Sequence, residues 1–300
     1  MSDEVQSSKF QVPGSGLQAS GSKETSELET LNSKLETLNL KLETLKTGSI
    51  LRVDLNRPDA RNAMNRQMVQ ELLDVFTVLH DDRSVRVVVL GATGPAFCAG
   101  GDIKEMQADV AAGREAQLRR VEVFDAMLQA VMRAPQAVIA RVHGAAMGGG
   151  LGLLCAADIA IAAHEATLGL PEVRLGLLPA IISPYVVARV GEAKAREWLL
   201  RGMRLDGAAA AAAGLVHHAC PAAELDAQVR AVVQDILQAS PSAVAAGKAL
   251  LLEVAGKTPA QTLEYRVDLL NRLRQSPEGR EGAAAFLQKR KPAWVETMPD

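Results

Sequence analysis

Residues 144–179 read GAAMGGGLGLLCAADIAIAAHEATLGLPEVRLGLLP, and this stretch decides how the rest of the chain is read. Just before it, AVIARV (137–142) is an apolar run of strand length. LGLLCAA (151–157) has the look of a short apolar helix, and DIAIAA (158–163) of a second buried strand. Three consecutive glycines, Gly148, Gly149 and Gly150, join the first strand to the helix. A residue without Cβ lets the backbone approach a ligand closely, and the first turn of a helix offers N–H groups with no intrahelical partner. Such a place suits an oxygen that becomes negative during a reaction. Downstream, LGLPEV supplies one carboxylate, Glu172, next to a second glycine-containing turn.

The complementary piece is FCAGGDIKEM (97–106). The apolar strand VRVVVL (85–90) runs into a loop with Gly94, Gly100 and Gly101, and a helix begins near Asp102, which is placed to cap it. Taken singly, each strand–glycine–helix turn is more often plain connection than catalysis. Two in one chain can meet as a pair of oxyanion donors.

With HGAAMGGG, LPEVRLGLLP and the late EGAAAFLQKRKPAW, FCAGGDIKEM stands in an order and spacing that resembles the crotonase (enoyl-CoA hydratase/isomerase) superfamily over roughly residues 42–296. The resemblance implies an α/β fold, a crotonase-like spiral of ββα repeats at 42–205, with a C-terminal helical trimerisation region at 206–300. It implies an acyl-CoA thioester as substrate and an enolate as the species to be stabilised. No separate cofactor is expected, since CoA is part of the substrate. The oxyanion donors carried over are the N–H groups of Gly101 and Gly149, and the acid/base is Glu172. CoA contacts fall on Arg57, Ala60, Arg61 and Ala63 of LNRPDARNAM, on Ala99, Asp102 and Ile103, and on Lys289, with Lys291 beside it. For the arginines and lysines the other reading is a solvated basic surface. A homotrimer or a dimer of trimers is the expected assembly.

One departure matters. Hydratases with two glutamates carry the first one two residues after the triple glycine, and here that position is Gly152. Single-glutamate members include enoyl-CoA isomerases and some hydratases of branched glutaconyl-CoA substrates. LGLPEVRLGLLPAIISPYVVARVG is most similar to bacterial glutaconyl-type hydratases, acting on isohexenylglutaconyl-CoA or 3-methylglutaconyl-CoA. The expectation is therefore hydration of a 2,3-enoyl-CoA of that type. The alternatives are single-glutamate enoyl-CoA isomerisation and a catalytically silent acyl-CoA-binding or assembly protein. A missing carboxylate at 152 would relieve repulsion of an anionic acyl group and free volume for a branch.

Composition agrees with a globular chain: 300 residues, 48% apolar and 23% charged. A net charge of −2 and 3% aromatics give no footprint for nucleic acid. Cys98, Cys155 and Cys220 are far apart and odd in number, which reads as buried thiols in a reducing compartment. No apolar run reaches membrane-spanning length, and the N-terminus resembles neither a secretory signal nor a transit peptide, so a cytoplasmic location is expected.

Residues 1–27 are polar and aperiodic and read as a disordered tail. Three seven-residue copies follow, LETLNSK, LETLNLK and LETLKTG, with leucines spaced by three and four. Residues 28–41 are expected to be a marginal helix or loose arm, oligomerisation being its functional reading, and 42–46 a strand. Residues 65–79 read as an amphipathic helix and 103–133 as one or two helices, and after Glu172 the chain turns helical. His143, His164, His217 and His218 lack metal spacing and read as structural, so no metal is expected. From pattern alone, strands alternate with helices and then give way to an all-helical end.

Overall fold

The computed structural model describes residues 42–298; the expected tail at 1–27 and arm at 28–41 lie outside them. Strand β1 (Leu42–Thr47) is the third heptad copy and pairs antiparallel with β2 (Ile50–Leu55). The two-residue turn between them places Gly48 at φ +58°, as a tight hairpin requires. After a polar loop comes α1 (Arg66–Asp81), whose first turn is capped by the Asn65 side chain accepting from Met68 N–H at 3.0 Å.

From there the chain winds in coils. Each coil lays one strand in a large sheet, one short strand in a small sheet, and then a helix. The first is β3 (Val87–Ala92), β4 (Ala96–Cys98) and the helices α2 (Ile103–Ala111) and α3 (Arg114–Arg133). The second is β5 (Ala137–Val142), β6 (Ala145–Met147) and α4 (Gly149–Ala156). The third is β7 (Ile159–Ala163), β8 (Thr167–Gly169) and, after a 3-10 turn at Glu172–Leu175, α5 (Ser183–Val190). Then follow α6 (Glu192–Arg201), β9 (Arg204–Asp206), α7 (Gly207–Ala212) and β10 (His218–Cys220). Helices α8 (Leu225–Leu237), α9 (Pro241–Val254), α10 (Leu263–Gln275) and α11 (Pro277–Leu287) complete the chain.

The large sheet runs β1-β2-β3-β5-β7-β10, parallel throughout except at β1. The small sheet runs β4-β6-β8-β9, its first three strands parallel. This is the spiral of ββα repeats that the resemblance implied. Val87–Leu90 and Val138–Ala140 are buried without alternation because both faces of the parallel sheet are covered. The expected helical end begins at 206, yet β10 inside it returns to the large sheet beside β7. Three residues are too few for a strand period to be read from sequence.

Helix α8 buries Leu225, Val229, Val233 and Leu237 against the sheet, whereas α9 and α10 bury no residue. The end of the chain is tied back by Arg86, buried before β3, whose guanidinium donates to the carbonyls of Trp294, Leu237 and Ala239 at 2.7, 3.2 and 2.6 Å. No helix among the described residues is long and apolar enough to cross a membrane.

Candidate active site

Because β4, β6 and β8 lie side by side, the turns that follow them are neighbours too, at the roughly 4.8 Å spacing of a sheet. Those turns carry Gly100–Gly101, Gly148–Gly149 and Leu170–Glu172. The winding of the chain thus brings together three pieces more than seventy residues apart at their extremes.

The Gly101 turn is held by Met64. Met64 N–H donates to the Gly100 carbonyl at 2.8 Å, and Asp102 N–H donates to the Met64 carbonyl at 3.0 Å. In a parallel bridge of this kind the residue between the two bonds, Gly101, turns its own N–H to the opposite edge. That edge is where Gly149 lies: a Cβ built on Gly149 would sit 3.6 Å from the Gly101 nitrogen, and one on Gly100 3.8 Å from the Gly149 nitrogen. Gly149 is the first residue of α4, so its N–H has no intrahelical acceptor. Gly148, at φ +51°, makes the sharp entry, and its N–H donates to the Gly169 carbonyl at 3.0 Å.

Glu172 reaches in from the third coil. Its Oε1 is 2.9 Å from where a Cβ on Gly148 would be, so that glycine also makes room for the carboxylate. Its Oε2 is buried without a hydrogen-bond partner among the described residues. Burial pushes the Glu172 carboxyl above the usual carboxylate range. Two N–H groups in adjoining turns, with a desolvated carboxyl next to one of them, can stabilise a developing oxyanion and move a proton to or from a neighbouring atom.

The two segments expected to hold CoA form one cluster. Ala99 N–H donates to the Arg61 carbonyl at 3.0 Å, and the Arg57 guanidinium donates to the Ala63 carbonyl at 2.5 Å and to Asp102 Oδ2 at 3.2 and 3.3 Å. Ala60 N–H closes the turn onto the Arg57 carbonyl at 3.0 Å. Burial opposes the charge on Asp102, but Arg57 and the N–H groups of α2 outweigh it and hold the carboxyl below its usual range. Arg57 is thus engaged as an internal brace, while Arg61, at φ +50°, and Ile103 are exposed. Lys289 stands apart, exposed and two residues beyond the end of α11, which packs on α10.

Sequence reading missed several residues that shape this place. Asn62 is fully buried at φ +55°; its Nδ2 donates to the carbonyls of Thr93 and Ala96, both at 2.8 Å, and its Oδ1 accepts from Arg57 N–H at 2.7 Å. An Asn two residues beyond a proline turn is the one local signal that could have revealed it. Met64 Cε and Phe124 Cζ crowd Gly149, and Met106 Sδ and Arg120 Nη2 lie 3.3 and 3.6 Å from a Cβ on Gly101. Arg120 is held by the buried Asp109, which also pairs with Arg66. None of these contacts has a sequence signal, since each depends on the register of a packed helix.

Gly152 requires a correction. The expected free volume is absent: a Cβ there would lie 2.2 Å from Ile182 Cγ2 and 2.7 Å from Ile182 Cβ. Close packing has filled the place of the missing carboxylate with the aliphatic side chain of the residue that caps α5. The histidines hold no metal set, and no group of potential ligands occurs among the described residues. His217 Nδ1 accepts from Ala160 N–H at 3.0 Å, a structural bond. Burial drives the thiols of Cys98 and Cys155 up to about 12, so neither is a ready nucleophile.

Residues 46–297 match the family model described as Enoyl-CoA hydratase/isomerase. The chain belongs to that family. The enoyl-CoA hydratase/isomerase fold also recurs among solved structures: AtuE of Pseudomonas aeruginosa superposes with a TM-score of 0.83 at 42% identity, over 86% of this chain and 100% of that one. An enoyl-CoA hydratase/isomerase from Marinobacter aquaeolei gives 0.81 at 38% identity, over 85% and 99%. The Mycobacterium tuberculosis protein named "Probable enoyl-CoA hydratase echA8" is 35% identical over 248 residues, 81% of this chain and 93% of that protein. This is therefore a crotonase-type enzyme with the α/β crotonase fold, and an acyl-CoA thioester is the substrate class consistent with its family.

Proposed function

We propose that the enzyme adds water across the 2,3 double bond of a branched, anionic enoyl-CoA of the glutaconyl type, such as isohexenylglutaconyl-CoA or 3-methylglutaconyl-CoA. In this reading the thioester oxygen accepts from Gly101 and Gly149 N–H while C2 gains enolate character. The Glu172 carboxylate takes a proton from water as its oxygen bonds to C3, and then returns a proton to C2, so that one group serves both transfers. The observation that carries the reading is the meeting of Gly101, Gly149 and Glu172 through three adjacent coils. The anionic acyl group is supported by Gly152 standing where a second carboxylate would repel it, and by the Arg120 guanidinium next to Gly101.

The CoA moiety would lie along Arg57–Ala63 and Ala99–Ile103, with Arg61 the exposed cation of that loop and Lys289 reaching it from a neighbouring subunit. Assembly as a homotrimer or dimer of trimers is supported by the open apolar residues Leu263, Val267 and Leu270 on α10 and Phe286 and Leu287 at the end of α11. Three buried free thiols suit a reducing cytoplasm.

A second reading, Δ3,Δ2-enoyl-CoA isomerisation, is favoured by Ile182, whose aliphatic chain covers the place of a water-orienting carboxylate. A panel of 2- and 3-enoyl-CoA thioesters decides, followed by absorbance of the conjugated thioester. Loss of conjugation with methylglutaconyl- or isohexenylglutaconyl-CoA is expected. Conjugation gained from a 3-enoyl-CoA would establish the isomerase, and no change with any member would leave an acyl-CoA-binding protein.

A further inference from the structure

We infer that Ile182 is a specificity-determining residue of the acyl site: it occupies the slot over Gly152 and presents an aliphatic wall, next to Glu172, to a hydrocarbon branch of the acyl group. The inference rests on the reading that the acyl group lies over the first turn of α4.

Gly152 N–H donates to the Gly148 carbonyl at 3.0 Å, so positions 148 and 152 are one turn apart, about 6 Å along the axis. Glu172 descends on the first and Ile182 on the second. The carboxylate and the isoleucine therefore flank the same turn, the one that starts with the Gly149 N–H. Ile182 is 3% exposed and cannot step aside freely. Its carbonyl accepts from Val186 N–H at 3.1 Å as α5 begins, and Ser183 N–H donates to the Pro179 carbonyl at 3.0 Å. One turn further on, Tyr185 OH donates to Asp125 Oδ1 of α3 at 2.9 Å, bridging over α4. The slot is thus a choice between two occupants. A side chain at 152 and a branched side chain at 182 exclude each other, because any Cβ at 152 falls far inside contact distance of Ile182. Gly152 alone does not enlarge the site; Gly152 together with Ile182 replaces a charged, water-binding position with a dry one.

The test is a double-mutant cycle of Gly152→Glu with Ile182→Gly, read by thermal denaturation and by kcat/KM for crotonyl-CoA and for 3-methylglutaconyl-CoA. Glycine suits the backbone of a capping position such as 182, and the Tm lost with the buried side chain is the baseline of the cycle. Gly152→Glu alone is expected to lower Tm and turnover, and its penalty should shrink in the Ile182→Gly background, since residues in contact couple. Ile182→Gly alone should shift the ratio of the two kcat/KM values toward the unbranched substrate by about tenfold or more, the scale of methylene-sized changes in an apolar pocket. The double variant should gain on crotonyl-CoA over Ile182→Gly. If Gly152→Glu does not fold, Gly152→Ala replaces it, since even one methyl meets Ile182 at the same place. Equal penalties in both backgrounds, or an unchanged substrate ratio in Ile182→Gly, overturn the inference. The Tm cycle needs no substrate, so it stands or falls apart from the glutaconyl reading, which fails if the unaltered enzyme hydrates crotonyl-CoA and not the glutaconyl thioesters.

Discussion

Glu172 combines two properties that pull in opposite directions. It must carry charge to accept a proton, yet one oxygen is buried without a partner among the described residues, and burial raises its pKa. A raised pKa means that the carboxylate form is lost at a higher pH than for an ordinary glutamate as acid is added. A step limited by Glu172 as base should therefore fail on the acid side of that raised value and level off above it, and the pH profile of kcat/KM measures this directly. Glu172→Gln keeps the shape and removes the proton carrier; turnover should drop by about 10²–10⁴-fold with acyl-CoA binding retained. Near-full activity in that variant, with calorimetric binding intact, would remove Glu172 from the mechanism. Asn62 is a residue-scale case of stability. Replacing it by Ala takes the side-chain partner from three backbone groups, the Arg57 N–H and the Thr93 and Ala96 carbonyls. Each unsatisfied group costs about 1–3 kcal/mol. Asn62→Ala should lower the denaturant midpoint strongly, and Asn62→Asp, which keeps the acceptor but not the donors, should recover only part.

Among the elements, β1 has a sequence that permits two structures. LETLKTG repeats the heptad twice copied before it, and as a helix it would continue an a/d seam. In the fold it is a strand, because the adjacent β2 is bonded on its other side to β3 and offers a free edge with matching register from Leu42↔Leu55 to Thr47↔Ile50. Tertiary pairing overrides a weak local preference here. Deletion of residues 1–41 should leave Tm and turnover nearly unchanged, whereas deletion of 1–47 strips the edge from β2 and should reduce soluble yield and Tm. Equal behaviour of the two truncations in a thermal melt would show that β1 adds nothing to the sheet.

At the scale of the whole molecule, the last helices carry several large apolar residues that no other described residue covers. Phe286 and Leu287 are 84% and 80% exposed, and α9 and α10 bury no side chain. Apolar surface of this extent suits a contact and supports the trimeric assembly proposed above. Light scattering after size exclusion should report a mass that is a multiple of three chains, and Phe286→Ser with Leu287→Ser should move it toward one chain with the circular dichroism of the subunit retained. A single-chain mass for the unaltered protein would remove both the proposed assembly and the proposed route of Lys289 to a neighbouring site.

The family, the α/β alternation, the two glycine turns and Glu172 were all legible in the sequence, because these are local patterns: apolar runs, glycines where backbone must approach, a glutamate in a fixed motif. The cap at Asp102 was legible for the same reason, and its side chain does accept from Lys104 N–H at 3.1 Å. Which occupants meet across those patterns depends on the packed fold. Gly152 looks in the sequence like an opening, and is a contact, because Ile182 stands thirty residues away and is brought over it by the third coil. Arg57 looks like a free cation, and is tied to Asp102 forty-five residues on. Arg120 and Phe124 come beside the glycines only through the register of α3. A one-dimensional pattern records what each residue can do; which space it fills depends on neighbours distant in the chain, and close packing leaves that choice to the fold.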